Sequence, residues 1–345
     1  MFLQKNKIVL TYAAGVLFLA AAVVLGVSLG SVSIPFLTSA EILIRKLFQL
    51  QIPASIDTTY VNIIIDIRFP RVLLAVLVGA SLAIAGAAFQ GLLQNPLADP
   101  YTLGVSSGSA LGAVAVLFLG WNIPVIGSFT LPIISICTGF LTLFGLLTFV
   151  RLIEKKLTTE TIILAGIIVS SFLGSVISLM IALTGDELRQ IISWLMGSVA
   201  MRGWDYFWLQ LPFFFFGVLL LMANRKELNA LVFGEETAMT LGVNTNIRRI
   251  IILAGASLLT GSAVAVSGTI GFVGLVIPHL VRLVQGPDHR HLLPVSILAG
   301  GGFLVLTDLA ARTIIAPTEL PIGVITAIIG APVFGLLLFH QRKKK

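Results

Sequence analysis

Long apolar runs separated by short polar stretches set the rhythm of this chain. A helix needs about 20 mostly apolar residues to cross a bilayer core. On that measure the pattern predicts spans at 8–30, 69–90, 103–120, 124–150, 160–183, 206–223, 248–268, 270–284, 291–315 and 321–340. The run at 270–284 is too short to cross alone and reads as a half-helix. Small residues recur at every fourth position within the runs: Gly79, Ala83, Ala87 and Gly91, then Gly104, Gly108 and Gly112. That spacing puts them on one helix face, where backbones can approach closely inside a membrane. Between the two stripes lies a polar break, Gln94-Asn95-Pro96-Leu97-Ala98-Asp99-Pro100. Irregular backbone at that point must be buried in protein or face water.

Composition narrows the class. Of the 345 residues, 57% are hydrophobic and 11% charged, against about 25% charged in a soluble domain. The expected fold is an all-α polytopic membrane protein of about ten transmembrane helices, a single domain over residues 1–345. The first thirty residues carry Lys5 and Lys7 ahead of an apolar stretch that runs to Leu29. That exceeds a signal-peptide core of about 7–15 residues and favours an uncleaved first span. Cys137, the only cysteine, lies in an apolar run and excludes an intrachain disulfide; packing is its expected role.

The net charge is +7, but its distribution argues against nucleic acid as a partner. Ten spans starting inside place Arg151, Lys155, Lys156, Arg225, Lys226, Arg248, Arg249, Arg282, Arg290 and the Arg342–Lys345 tail in the cytoplasm with Lys5 and Lys7. Arg45, Lys46, Arg68, Arg71, Arg189, Arg202 and Arg312 fall outside. The sign of that bias is the positive-inside rule. Both termini are then cytoplasmic, in a multi-pass protein of the cell membrane and its lipid. Residues 31–67 form an external loop and about 225–247 a cytoplasmic one. The second half also echoes the first: Ala83-Ile84-Ala85-Gly86 and Phe89-Gln90-Gly91-Leu92 resemble Ala265-Val266-Ser267-Gly268 and Phe272-Val273-Gly274-Leu275. A four-span repeat with a fifth span between its copies would be inverted; coincidence in a Gly/Ala-rich chain is the alternative.

Candidate chemistry is sparse. No Gly-Lys-Ser/Thr phosphate loop occurs, and no nucleophile–base or metal constellation appears, so the chain reads as a transport subunit rather than an enzyme, with no cofactor. Of the 15 acidic residues only Asp308 lies well inside a span. An i,i+4 ion pair with Arg312 near the outer end is the expected role, with a proton relay as the alternative. An ion-coupled secondary carrier is therefore the rival class, disfavoured by the scarcity of intramembrane acids. His279, His289, His291 and His340 lack metal-site spacing, and His289 and His291 in the loop GPDHRH read as solvated. Arg225–Gly242 reads as a short amphipathic helix between two spans, either a docking surface or an ordinary loop. Glu235 and Glu236 suit its N-terminal end and Gly242 its C-terminal cap.

Together, RFPR at 68–71, QNPLADPYTLGVSSG at 94–108, GEETAMTLG at 234–242, GTIGFVGLVIPHLVR at 268–282, DHRHLLP at 288–294 and ELPIGVITAIIGAPVF at 319–334 resemble the permeases of iron-chelate and cobalamin (FecCD-type) ABC importers. The resemblance covers about residues 60–340. It implies a ten-span subunit paired with a second permease as homo- or heterodimer, two cytoplasmic ATP-binding subunits and an external substrate-binding protein. It implies a ferric-siderophore-type cargo, with cobalamin or haem as alternatives. It places ATPase coupling on Gly234, Glu235, Glu236, Ala238, Leu241 and Gly242. Docking of the binding protein falls on Arg68, Arg71 and Arg312, for which interfacial snorkelling is the alternative. An inner gate at the start of the fifth span falls on Thr158, Thr159 and Glu160, where Glu160 departs from the family's small hydroxyl residues. Beyond it, Ser171, Ser175 and Ser178 form a stripe that either lines the pathway or bonds to the preceding turn.

Overall fold

A computed structural model describes residues 2–30, 32–154 and 158–343; Lys155, Lys156, Lys344 and Lys345 of the expected cytoplasmic set lie outside the described residues. Helices α1 (Phe2–Ser28), α2 (Phe36–Leu47), α3 (Thr58–Asn62) and α4 (Phe69–Leu92) open the chain. They are followed by α5 (Val105–Leu119), α6 (Thr130–Ile153), α7 (Thr159–Leu183), α8 (Leu188–Leu195) and α9 (Gly203–Ala223). Then come α10 (Arg225–Val232), α11 (Glu235–Thr240), α12 (Thr245–Ser267), α13 (Val273–Gln285), α14 (His289–Thr313) and α15 (Ile322–Lys343). Among the described residues there is no strand. Among the described residues seven helices are long and apolar enough to cross a membrane, and α5, α13 and α15 supply shorter apolar ones. Each expected span has its helix, including the half-helix at α13.

Two expectations about helix boundaries change. The segment 31–67 is not a plain loop, because α2 and α3 lie within it. The second span begins before Arg68: α3 passes through a π-helical turn, Ile63–Arg68, straight into α4. Proline has no N–H to give the preceding turn, so a π register at Ile65 would leave its carbonyl without the donor that residue 70 normally supplies. Trp204 fills the gap, its Nε1 donating to the Ile65 carbonyl at 3.0 Å.

The centre of the bundle is α4, and small residues put it there. A Cβ added at Gly79 would collide with the Gly300 carbonyl, and one at Gly86 with the Gly274 carbonyl. Gly91 accommodates the His289 ring. The first stripe therefore faces α14, and Gly86, off that stripe, faces α13. The second stripe does the same work against α6, where Gly108 and Gly112 lie under the Thr142 and Thr138 side chains. Cys137, by contrast, points out of α6 rather than into a packed interface.

Helices α4–α7 and α12–α15 stand on either side of α9 in the chain order. Their packing is reciprocal: α4 packs on α12 and α13, and α12 packs on α4 and α5. Reciprocal packing of this kind is what an internal repeat requires. The breaks do not match the sequence echo residue for residue, since α4 ends at Leu92 and α12 at Ser267.

Candidate functional site

Three regions of this bundle carry polar or unpartnered groups: its two ends and a junction of broken backbone between them.

At the end where α9 stops and α12 starts, α10 and α11 form a small platform. Asn229 anchors it. Its Nδ2 donates to Asp288 Oδ1 at 2.6 Å, and its Oδ1 accepts from the His289 backbone N–H at 2.8 Å and lies 2.8 Å from His289 Nδ1. His289 is buried at the first turn of α14, and His291 is hydrogen-bonded to the Tyr12 hydroxyl at 3.3 Å. The solvated reading of these histidines is thus corrected, because α10 and α1 cover that turn. Burial opposes ionisation of Asp288, but the Arg290 N–H and the Asn229 amide hold its carboxyl below the ordinary range. Gln94, in the polar break, donates to the Leu231 carbonyl at 2.6 Å and fixes α10 to the end of α4.

The platform's inner and outer faces differ from the sequence expectation. Ala238 is fully buried, and Glu235 turns back to Arg249 at 3.3 Å and Thr245 at 3.2 Å. Both support α11 from within. Gly234 (φ +103°) and Gly242 (φ +82°) take positive φ at either end of the helix, as a tight start and stop require. Outward, beside Glu236, stand Phe233 at 74% exposure and Leu241 at 66%, with Met239 and Ile247 also exposed. Of these apolar residues the sequence reading singles out only Leu241, and no local spacing marks Phe233 or Met239 as facing outward.

The opposite end gathers Arg68, Arg71 and Arg312, and all three are buried, at 4%, 7% and 4% exposure. Arg68 reaches across to α1 and donates to the carbonyls of Val27 at 3.2 Å, Ser28 at 2.9 Å and Val32. Val27 and Ser28 lie in the last turn of α1, where carbonyls lack intrahelical partners, and Val32 lies just beyond it. Arg312 donates to the Gly26 carbonyl and lies 3.5 Å from Asp308. The expected Asp308–Arg312 pair is therefore the weaker contact. Asp308, fully buried, is held chiefly by Arg71, whose Nε and Nη2 donate at 2.8–3.1 Å. The other edge of the same guanidinium grips Glu319, Nη1 to Oε1 at 2.8 Å and Nη2 to Oε2 at 2.9 Å. That grip holds Glu319 below the usual carboxylate range against the effect of burial. Sequence reading missed Glu319 because its partner is far away in the chain.

Between the ends, four breaks in helical structure meet, those after α4, α8, α12 and α14. Ser198 donates to the Ser267 carbonyl at 2.7 Å, Ile322 to Gly197 at 2.9 Å, and the Ile270 N–H to the Tyr101 hydroxyl at 2.6 Å. These bonds satisfy backbone groups that the breaks free, as an apolar surround favours. Thr158 caps α7, its Oγ1 accepting from Thr161, while Thr159 and Glu160 occupy the first turn. Ser175 and Ser178 donate to the carbonyls of Ser171 and Gly174 at 3.0 Å, and their α7 face is exposed in the single chain. These residues are not brought together with the arginine cluster or with the α10–α11 platform.

A family model for the FecCD transport family matches residues 18–340. The chain is 56% identical over 339 residues to the ABC transporter permease protein YvrB of Bacillus subtilis, covering 98% of this chain and 96% of that one. It is 45% identical over 272 residues to the cobalamin import system permease protein BtuC of Halobacterium salinarum, covering 79% and 72%. A solved structure described as the inward-facing conformation of a metal-chelate type ABC transporter superposes with a TM-score of 0.82 at 33% identity, over 95% of this chain and 98% of that one. With ten apolar helices, a polar platform at one end and ATP hydrolysis left to separate subunits, the chain belongs to the FecCD transport family and is the multi-pass membrane permease of an ABC importer that works with an ATPase and a binding protein.

Proposed function

We propose that the cargo is a large metal chelate, and a corrinoid first. The observation that carries this is the 45% identity to a permease named for cobalamin import. A ferric-siderophore-type chelate is the second reading, supported by the likeness to a metal-chelate type transporter. ATP-driven uptake into proteoliposomes containing the permease, its ATPase and its binding protein tests both. Labelled cobalamin should accumulate, and accumulation of a ferric siderophore in its place would reverse the order.

The basic end is cytoplasmic in this reading, and two permeases, two ATPases and one external binding protein make up the transporter. The exposed α7 face with Ser171, Ser175 and Ser178 then lines the path between two permeases, and Thr158, Thr159 and Glu160 stand at its inner mouth. The ATPase seats on Phe233, Met239 and Leu241. An exposed apolar patch flanked by an acidic residue on an otherwise polar platform supports this, since such patches mark interaction sites. Phe233→Ser combined with Leu241→Ser should leave the permease folded but release the ATPase on purification. Co-purification at the native ratio would move the seat elsewhere. The binding protein docks at the other end, over Arg68, Arg71 and Arg312. Within the cluster itself three guanidiniums meet two carboxylates, Asp308 and Glu319, which leaves a positive charge there for an acidic side chain of the partner.

A further inference from the structure

The same end presents a difficulty that only the structure exposes: the guanidinium best shaped to take a partner's carboxylate is already full. Arg71 spends one edge on Asp308, which is fully buried, and its other edge on Glu319. The two carboxylates are not equivalent. Asp308 belongs to the body of α14, whereas the Glu319 side chain is 38% exposed and sits on the connector 314–321, which has no helix. The connector is held lightly. Leu320 donates to the Ala311 carbonyl at 2.9 Å, Thr318 donates to Ile315 within the connector at 3.1 Å, and Glu319 ties it to Arg71.

Resting on the docking reading above, we propose that Glu319 is an internal stand-in for a carboxylate of the binding protein, and that docking proceeds by exchange of one for the other on the outer edge of Arg71. The chemistry favours exchange over addition. A carboxylate arriving while Glu319 stays would meet a like charge at close range, and a planar guanidinium has only one outer edge to offer a bidentate partner. Replacing one carboxylate by another leaves the charge buried at the cluster unchanged. That avoids the cost of leaving Arg71 with an unpaired edge. Exchange also has a mechanical result. The freed connector leads directly into Ile322 and Gly323, which donate to Gly197 and Met196 in the junction of broken backbone at 2.9 and 3.2 Å. Docking outside would in this way loosen a strap tied to the junction.

The test is the affinity of the system's purified binding protein for the permease–ATPase complex in nanodiscs, with the chain intact. Glu319→Gln keeps the size of the side chain and removes its charge, so docking should tighten about three- to ten-fold. The gain should persist at about 1 M salt, where the Debye length is about 3 Å and a mere change in surface field is screened out. It should vanish in an Arg71→Lys background, where no fork remains to be freed. Independently of any variant, hydrogen exchange at the Leu320 amide should accelerate when the binding protein docks. If Glu319→Gln weakens docking or leaves it unchanged, or if docking protects Leu320, the exchange is overturned. Should Arg68→Glu with Arg312→Glu still abolish docking in that case, the docking reading survives alone. If neither the arginine reversals nor Glu319→Gln alters affinity, the docking reading itself fails.

Discussion

Helices α1 and α4 are equally apolar by composition, yet their surroundings are opposite. In the most apolar stretch of α1 only 6% of residues are buried, against 89% in the most apolar stretch of the span that contains α4. In lipid, hydrophobicity does not decide which helix goes inside, because lipid tails are as apolar as leucine. Close approach decides it. From Gly79 to Gly91, α4 presents glycine, alanine or serine at most positions, and backbones of α13 and α14 come against it. Helix α1 touches α14 through a narrow strip at Gly15 and Gly26 and shows Leu10, Leu17 and Val24 to the outside. A central helix and a lipid-facing helix are thus told apart by the sizes of their residues.

The comparison can be broken most severely at Arg71. Arg71→Ala leaves Asp308 buried and without its main partner, a change that typically costs about 3–5 kcal/mol. Thermal unfolding in detergent should show a large loss of stability, and a stable variant would mean that Asp308 has another counter-charge. Gly86→Leu tests the close approach itself. Overpacking typically costs about 1–3 kcal/mol, and here the obstacle is a backbone carbonyl that cannot rotate away. Uptake should fall with stability. Gly108→Leu should behave likewise at the α5–α6 contact, with Leu103→Ile tolerated as a volume-conserving change even though Leu103 proves fully buried. The mildest change is Leu17→Ala in α1, which should stay within about 0.5 kcal/mol of the native chain because the side chain faces outward. If Leu17→Ala proved as harmful as Gly86→Leu, the division between a central α4 and a peripheral α1 would be lost.

Spans were legible because each is a local property: a run of apolar residues either is or is not long enough to cross. The half-helix α13 and the two small-residue stripes were legible for the same reason. Short helices such as α2 and α8 were not, since their apolar faces are a turn or two long and merge into loops. The candidate site was legible by address rather than by role. RFPR and the segment 234–242 do mark the two polar ends, but Ala238 faces inward and Phe233 outward, and nothing in a one-dimensional spacing says which. Nor does it say that Arg71 rather than Arg312 holds Asp308.

The sequence by itself determined that this is an all-helical membrane protein with about ten spans, where its polar breaks fall, and which helices carry small-residue faces. Those features follow from the cost of exposing backbone to lipid and from residue size, both fixed locally. The tertiary structure decided which small face meets which, how Arg68, Arg71 and Arg312 are used, and which side of α11 remains open to a partner. Those depend on pairing between residues as far apart as Gly26 and Arg312, and a pairing of that kind becomes definite only when the helices have packed.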